Sequence, residues 1–141
     1  MQAKLKIKIG FRFMSNKSKG SNAERELLKI FIENGFKAAR VAGSGVNDES
    51  PCDLIAGKLN GKYAIECKTC KTDKKYIDRK QIEEFIVFSE IFGLIPLIAI
   101  RFNRQGWLFL NPADLEDTGK YLAISLEDAL SKGKRFGQVF C

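Results

Sequence analysis

The chain has no histidine among its 141 residues, and no second pair to match Cys67-x-x-Cys70, so a structural zinc site lacks its ligands. An iron–sulfur cluster would need Cys52, Cys67, Cys70 and Cys141 to converge, which their spacing does not suggest. No run approaches the about 18 consecutive apolar residues of a membrane span. No h-region follows the start, where Lys alternates with apolar residues, so no signal peptide is read and a reducing cytoplasm is expected. No internal repeat is visible. Hydrophobic and charged fractions of 45% and 29% exclude collagen-like, low-complexity and disordered chains. The length suits one compact domain and is too short for two ordinary ones.

Acidic residues are missing altogether from the first twenty positions, which hold Lys4, Lys6, Lys8, Arg12, Lys17 and Lys19. The net charge of +7 points to a polyanionic partner, yet residues 21–141 carry only 18 bases against 17 acids. Any nucleic-acid surface on the body is therefore a local patch. One candidate runs through Lys68, Lys71, Lys74, Lys75, Arg79 and Lys80, opposed by Asp73 and Asp78. Taken alone, such a run reads equally as a solvated lysine-rich loop.

Periodicity supplies the elements. Residues 1–14 read as a short basic strand or a loose arm, with Met14 an alternative start. Ala23, Leu27, Ile30 and Phe31 predict a helix over residues 21–34, ended by Gly35, with Ser21 and Glu24 at capping-box spacing. A strand follows over 37–42, then a flexible loop through Gly43-Ser44-Gly45 to Pro51. Residues 52–58, an Asn60-Gly61 turn and residues 62–69 predict a β-hairpin. A helix is expected over 78–92, with Asp78 and Gln81 at capping-box spacing and apolar residues on more than one side, hence deeply buried or shared with a partner. Strands over 96–102 and 106–110 and two short helices, from Asn111-Pro112 and over 125–130, complete a mixed α/β pattern.

The hairpin serves as a ruler. A turn at Asn60-Gly61 sets Leu59 opposite Lys62, Ile55 opposite Glu66 and Asp53 opposite Lys68. Asp53, Glu66 and Lys68 then share one face, while Leu54, Ala56, Ile65 and Cys67 turn to the other. Two readings stand for this trio. Asp53 and Lys68 can form a cross-strand ion pair with Glu66 merely beside it. Alternatively, the carboxylates hold a hard divalent cation, Mg2+ or Mn2+, beside a lysine, which is equipment for phosphodiester hydrolysis.

Pro51-Cys52-Asp53 with Glu66-Cys67-Lys68 resembles the PD-(D/E)xK nuclease signature. Lys19-Gly20, Ala23-Glu24-Arg25, Gly35-Phe36, Arg40-Val41-Ala42-Gly43-Ser44-Gly45, Asp53-Leu54-Ile55-Ala56, Ala64 to Lys68, Gln81-Ile82 and Phe88-Ser89, in that order, resemble the archaeal Holliday junction resolvases. The resemblance spans residues 17–110. It implies a restriction-endonuclease-like domain over 17–141, a central mixed β-sheet flanked by helices, preceded by a basic arm at 1–16. It further implies that Glu24, Asp53 and Glu66 face the metal with the main-chain carbonyl of Cys67, that Lys68 is the catalytic lysine, and that Gln81 supports the site. Arg25 and Arg40 would hold phosphates, and Ser44 would touch the backbone or assist cleavage, with Lys71, Lys74 and Lys75 adding DNA contacts.

The function so implied is Mg2+-dependent cutting of four-way DNA junctions by a homodimer, whose contact is expected at Phe85, Phe88 and Ile91 with aromatics near Phe102 and Trp107. A general nuclease acting on ordinary duplex and a catalytically silent junction-binding paralogue are the alternatives. The presence of Glu24, Asp53, Glu66 and Lys68 together weighs against the silent form.

Overall fold

Alternation of apolar side chains over residues 54–70 builds the centre of the molecule. The computed structural model describes residues 16–41 and 50–140, with side chains from Gly20 onward; the basic arm and the loop bearing Ser44 lie outside the described residues. Strand β2 (Leu54–Lys58) pairs antiparallel with β3 (Gly61–Cys70), and β1 (Lys37–Arg40) lies on its outer side. Beyond β3, β5 (Ile95–Phe102) runs parallel and β6 (Gly106–Leu110) antiparallel, giving the order β1-β2-β3-β5-β6. The expected mixed sheet is present.

Helix α1 (Asn16–Glu33) covers one face with Ala23, Leu27 and Phe31, spaced four apart so that they form one buried stripe. Gly35, at φ 86°, ends it: the Phe36 N–H reaches the Phe31 carbonyl and the Gly35 N–H that of Ile32, with the Phe31 and Phe36 rings 5.2 Å apart. The last helix of the described chain, α4 (Phe136–Phe140), adds Phe136 and Phe140 to the same aromatic cluster, both about as close to Phe31. Helix α2 (Arg79–Phe92) covers the opposite face, burying Ile82 and Phe85 against Ala64, Ile98 and Ile100. A smaller sheet of β4 (Lys74–Asp78), β7 (Glu116–Asp117) and β8 (Tyr121–Ser125), in the order β4-β8-β7, extends that side. The 3-10 turn at Pro112–Asp114, capped by Asn111, and α3 (Leu126–Lys132), capped by Ser125, match the two short helices expected. Among the described residues no helix is long and apolar enough to cross a membrane.

Several expectations are corrected. The first helix begins at Asn16, so Ser21 lies inside it and forms no cap with Glu24. The hairpin turns at Leu59-Asn60, and its register is shifted by two: Leu54 pairs with Ile65 and Ile55 with Ala64, so Asp53 does not stand opposite Lys68. A shift of two preserves which face each residue occupies, so the partition of side chains survives. Residues 74–77, expected as loop, and Asp78, expected to open the helix, form β4 because β8 supplies its ladder from more than forty positions downstream. Of the expected partner-facing surface, Phe85, Phe102 and Trp107 are buried while Ile91 is exposed, beside exposed Val87, Phe92 and Ile95.

Candidate active site

Asp53 sits just before β2, where its N–H donates to the Ile65 carbonyl, and its Oδ2 accepts from the Cys67 N–H at 2.7 Å. That bond fixes the carboxylate against the middle of β3. Glu66 and Lys68, two apart on β3, project to one face, with Lys68 Nζ 3.5 Å from Glu66 Oε2. Gln81, in the first turn of α2, spans them: its Nε2 donates to Glu66 Oε2 at 2.7 Å, and its Oε1 accepts from Lys68 Nζ at 3.2 Å. Asp78 caps α2 by accepting from Lys80 N, but Gln81 completes no capping box because its amide is spent here.

Both carboxylates are hard to ionise. Burial, followed by the charge of Asp53, pushes the Glu66 pKa up to about 8, and the nearby Lys68 only partly offsets this. Burial also raises Asp53, to about 6, with Glu24 adding repulsion and the Cys67 N–H opposing. Glu24 reaches the same cleft from α1, yet its Oε1 accepts from Arg40 Nε at 3.2 Å and Nη2 at 3.1 Å. Among the described residues no three His, Cys, Asp or Glu side chains stand gathered as a metal-holding group. The pair nonetheless fits a hard cation, because two oxygen donors that repel one another, one buried and one half-buried, are short of positive charge.

The cleft has a volume of about 720 Å³. It brings together Glu24, Asp53, Glu66, Cys67, Lys68 and Gln81 with Lys71, Lys74 and Lys75. A second cleft of about 470 Å³, bordered by Ser50, Asp78 and Glu84, shares Asp53, Glu66 and Gln81, so the carboxylates are reached from two sides. Arg25 is outside both clefts and bonds Asn22 within its own helix. Ser44 lies outside the described residues. Lys74 pairs with Glu116 at 3.4 Å, which raises its pKa.

Tyr76 also lines the cleft, and the sequence reading missed it. Its signal was present in Lys75-Tyr76-Ile77, a polar-aromatic-apolar alternation hidden inside a run dominated by charge. The cysteines have another use. Cys67 and Cys70 pack into opposite cores, and burial raises the thiols of Cys52 (to about 12) and Cys67, keeping them protonated.

Comparison with known proteins gives a consistent result. Residues 15–137 match the archaeal Holliday junction resolvase (Hjc) family. A crossover junction endodeoxyribonuclease Hjc of Methanocaldococcus jannaschii is 41% identical over 127 residues, covering 83% of this chain and 90% of that protein. One from Archaeoglobus fulgidus is 37% identical over 132 residues, covering 88% and 96%. The crystal structure of Archaeoglobus fulgidus Hjc, described as a Holliday junction resolvase, superposes with a TM-score of 0.77 at 32% identity, covering 86% of this chain and 95% of that one.

Proposed function

Because the chain belongs to the archaeal Holliday junction resolvase family, we propose that it cuts four-way DNA junctions by hydrolysing phosphodiester bonds in paired, symmetric nicks. The observation that carries this reading is the pairing of half-buried Asp53 with buried Glu66 beside Lys68, set in a cleft lined by Lys71, Lys74 and Lys75.

Asp53 and Glu66 would hold a divalent cation, Mg2+ with Mn2+ as a substitute, together with the Cys67 carbonyl and with Glu24 directly or through water. When bound, such an ion polarises the phosphodiester and lowers the pKa of a water. Lys68 orients the nucleophile and offsets developing charge, and Gln81 keeps its ammonium in fixed relation to Glu66. Arg40, which already contacts a carboxylate at 3.1 Å, exchanges Glu24 for a phosphate. Arg25, Ser44 and the cleft lysines add contacts to the DNA backbone, so that four-way shape rather than base sequence is recognised. Residues 17–141 act as one nuclease domain in the cytoplasm, and the arm at 1–16 adds positive charge.

A junction with two-fold symmetry and two strands to cut suits a two-fold enzyme. We place the contact of that homodimer on the exposed residues Val87, Ile91, Phe92 and Ile95.

The test is a labelled four-way junction and a linear duplex of the same sequence, each incubated with Mg2+ and with EDTA. Symmetric Mg2+-dependent nicks in the junction alone are expected. Equal cutting of both DNAs overturns the reading in favour of a general nuclease, and tight binding without cutting in favour of a silent paralogue.

A further inference from the structure

The small sheet presents an aromatic surface at the lip of the cleft. Tyr76 of β4 is 53% exposed and Tyr121 of β8 is 41% exposed. Their rings meet edge to face, with centroids 6.4 Å apart and planes at 79°. Each ring carries an ammonium: Lys74 Nζ is 5.5 Å from the centre of Tyr76, and Lys120 Nζ is 5.7 Å from that of Tyr121. Tyr76 lines the same cleft as Asp53, Glu66 and Lys68.

We infer that Tyr76, steadied by Tyr121, stacks on an unpaired or half-stacked base at the branch point of the DNA, which makes it a specificity-determining residue. This rests on the proposed junction-cutting function of the cleft. Regular duplex keeps its base faces inside the stack and offers a basic cleft only phosphates and sugars. Where strands exchange partners, a base loses a neighbour and exposes a π-face. An exposed ring replaces that neighbour, and a nearby ammonium holds the phosphate of the same nucleotide. Lys74 has that reach, since it lies over the ring and pairs with the exposed Glu116. Tyr121 meets Tyr76 edge to face, which steadies a ring that is still half exposed.

A structural role is separable. Tyr76 stands opposite the fully buried Ala123 in the β4–β8 ladder, and a leucine would cover that methyl as well as a tyrosine does. Wild-type protein, Tyr76→Phe and Tyr76→Leu are compared in EDTA, which withholds the divalent ion. The DNAs are a four-way junction carrying 5-iodouracil at the branch point and a linear duplex carrying it centrally.

We expect ultraviolet irradiation to cross-link the junction to Tyr76 in wild type, and to the ring at the same position in the Tyr76→Phe variant, at similar yield. Tyr76→Leu should lose that cross-link and about tenfold of its junction affinity, with less than about a twofold change towards duplex. If wild type prefers the junction while Tyr76→Leu binds both DNAs unchanged, or loses affinity equally for both, the inference is overturned and the proposed function stands. A wild-type protein without junction preference overturns both.

Discussion

Gln81 donates its amide nitrogen to Glu66 at 2.7 Å while its amide oxygen accepts from Lys68. One neutral side chain thus holds an acid and a base of the candidate site at a set separation, and α2 is capped without its help. Replacing it tests that arrangement. Gln81→Ala should slow single-turnover junction cleavage by about 10–100-fold with junction affinity almost unchanged. A variant that cuts at the wild-type rate would refute the positioning role.

Asp53→Asn and Glu66→Gln should each abolish cleavage and leave junction binding nearly intact, because the phosphate contacts are assigned to basic residues. Full cleavage by either variant would sink the metal assignment.

The same carboxylate makes a prediction about stability. Folded Glu66 keeps its proton up to about pH 8, whereas an unfolded chain gives it up near about pH 4. The folded state therefore holds more protons between those values, and its stability falls as pH rises through the window. In EDTA at pH 8, Glu66→Gln should melt about 4 °C above wild type, and the difference should vanish towards pH 4. Calorimetry across that range checks it; a lower Tm for the variant at pH 8 would show that its ionised contacts outweigh burial.

Glu26 titrates in the other direction. Arg101 donates to both of its oxygens at 2.6 Å and Trp107 donates at 2.8 Å, which lowers its pKa despite some burial. Stability from such a lowered carboxylate is present above the ordinary value and lost as pH falls through the folded one. The pair is partly exposed, so Glu26→Gln should cost only about 2 °C of Tm at pH 7, and this gap should close below about pH 4. A gap that does not narrow as the pH falls would contradict the assignment.

Gly35 is held at φ 86°, and a Cβ there would touch only the end of the Lys58 side chain, at 3.9 Å. Its cost is conformational and not steric. Gly35→Ala should destabilise the protein by about 1 kcal/mol in urea unfolding, with the denaturant slope unchanged. No loss at all would mean that the end of α1 rearranges.

Ile91 is 74% exposed on α2, close to exposed Phe92 and Ile95. Ile91→Asp should convert a dimer to a monomer in sedimentation without lowering Tm at a concentration where wild type is monomeric. A variant that remains dimeric would move the contact elsewhere.

Much of this was legible in residue order. The face shared by Asp53, Glu66 and Lys68 follows from alternation along two strands, and it survived a turn misplaced by one residue because the register then moves by two. What was not legible has a common cause. Strand β4 pairs with β8, and α4 closes on Phe31; both depend on partners far along the chain. Glu24 bonding Arg40 and Gln81 bridging Glu66 to Lys68 are likewise tertiary events. The capping-box spacing pointed to local roles for both side chains. In the molecule, Ser21 lies inside the helix and Gln81 turns inward.

The aromatic cluster that joins α4 to α1 sets an order of events during synthesis. Phe136 and Phe140 lid the rings of Phe31 and Phe109, and they leave the ribosome long after Lys68 does. Until they arrive, the helix that carries Glu24 keeps an unsealed oily flank at Phe31. A nascent chain therefore holds every acid of its cleft before the aromatic cluster over the Glu24-bearing helix is closed.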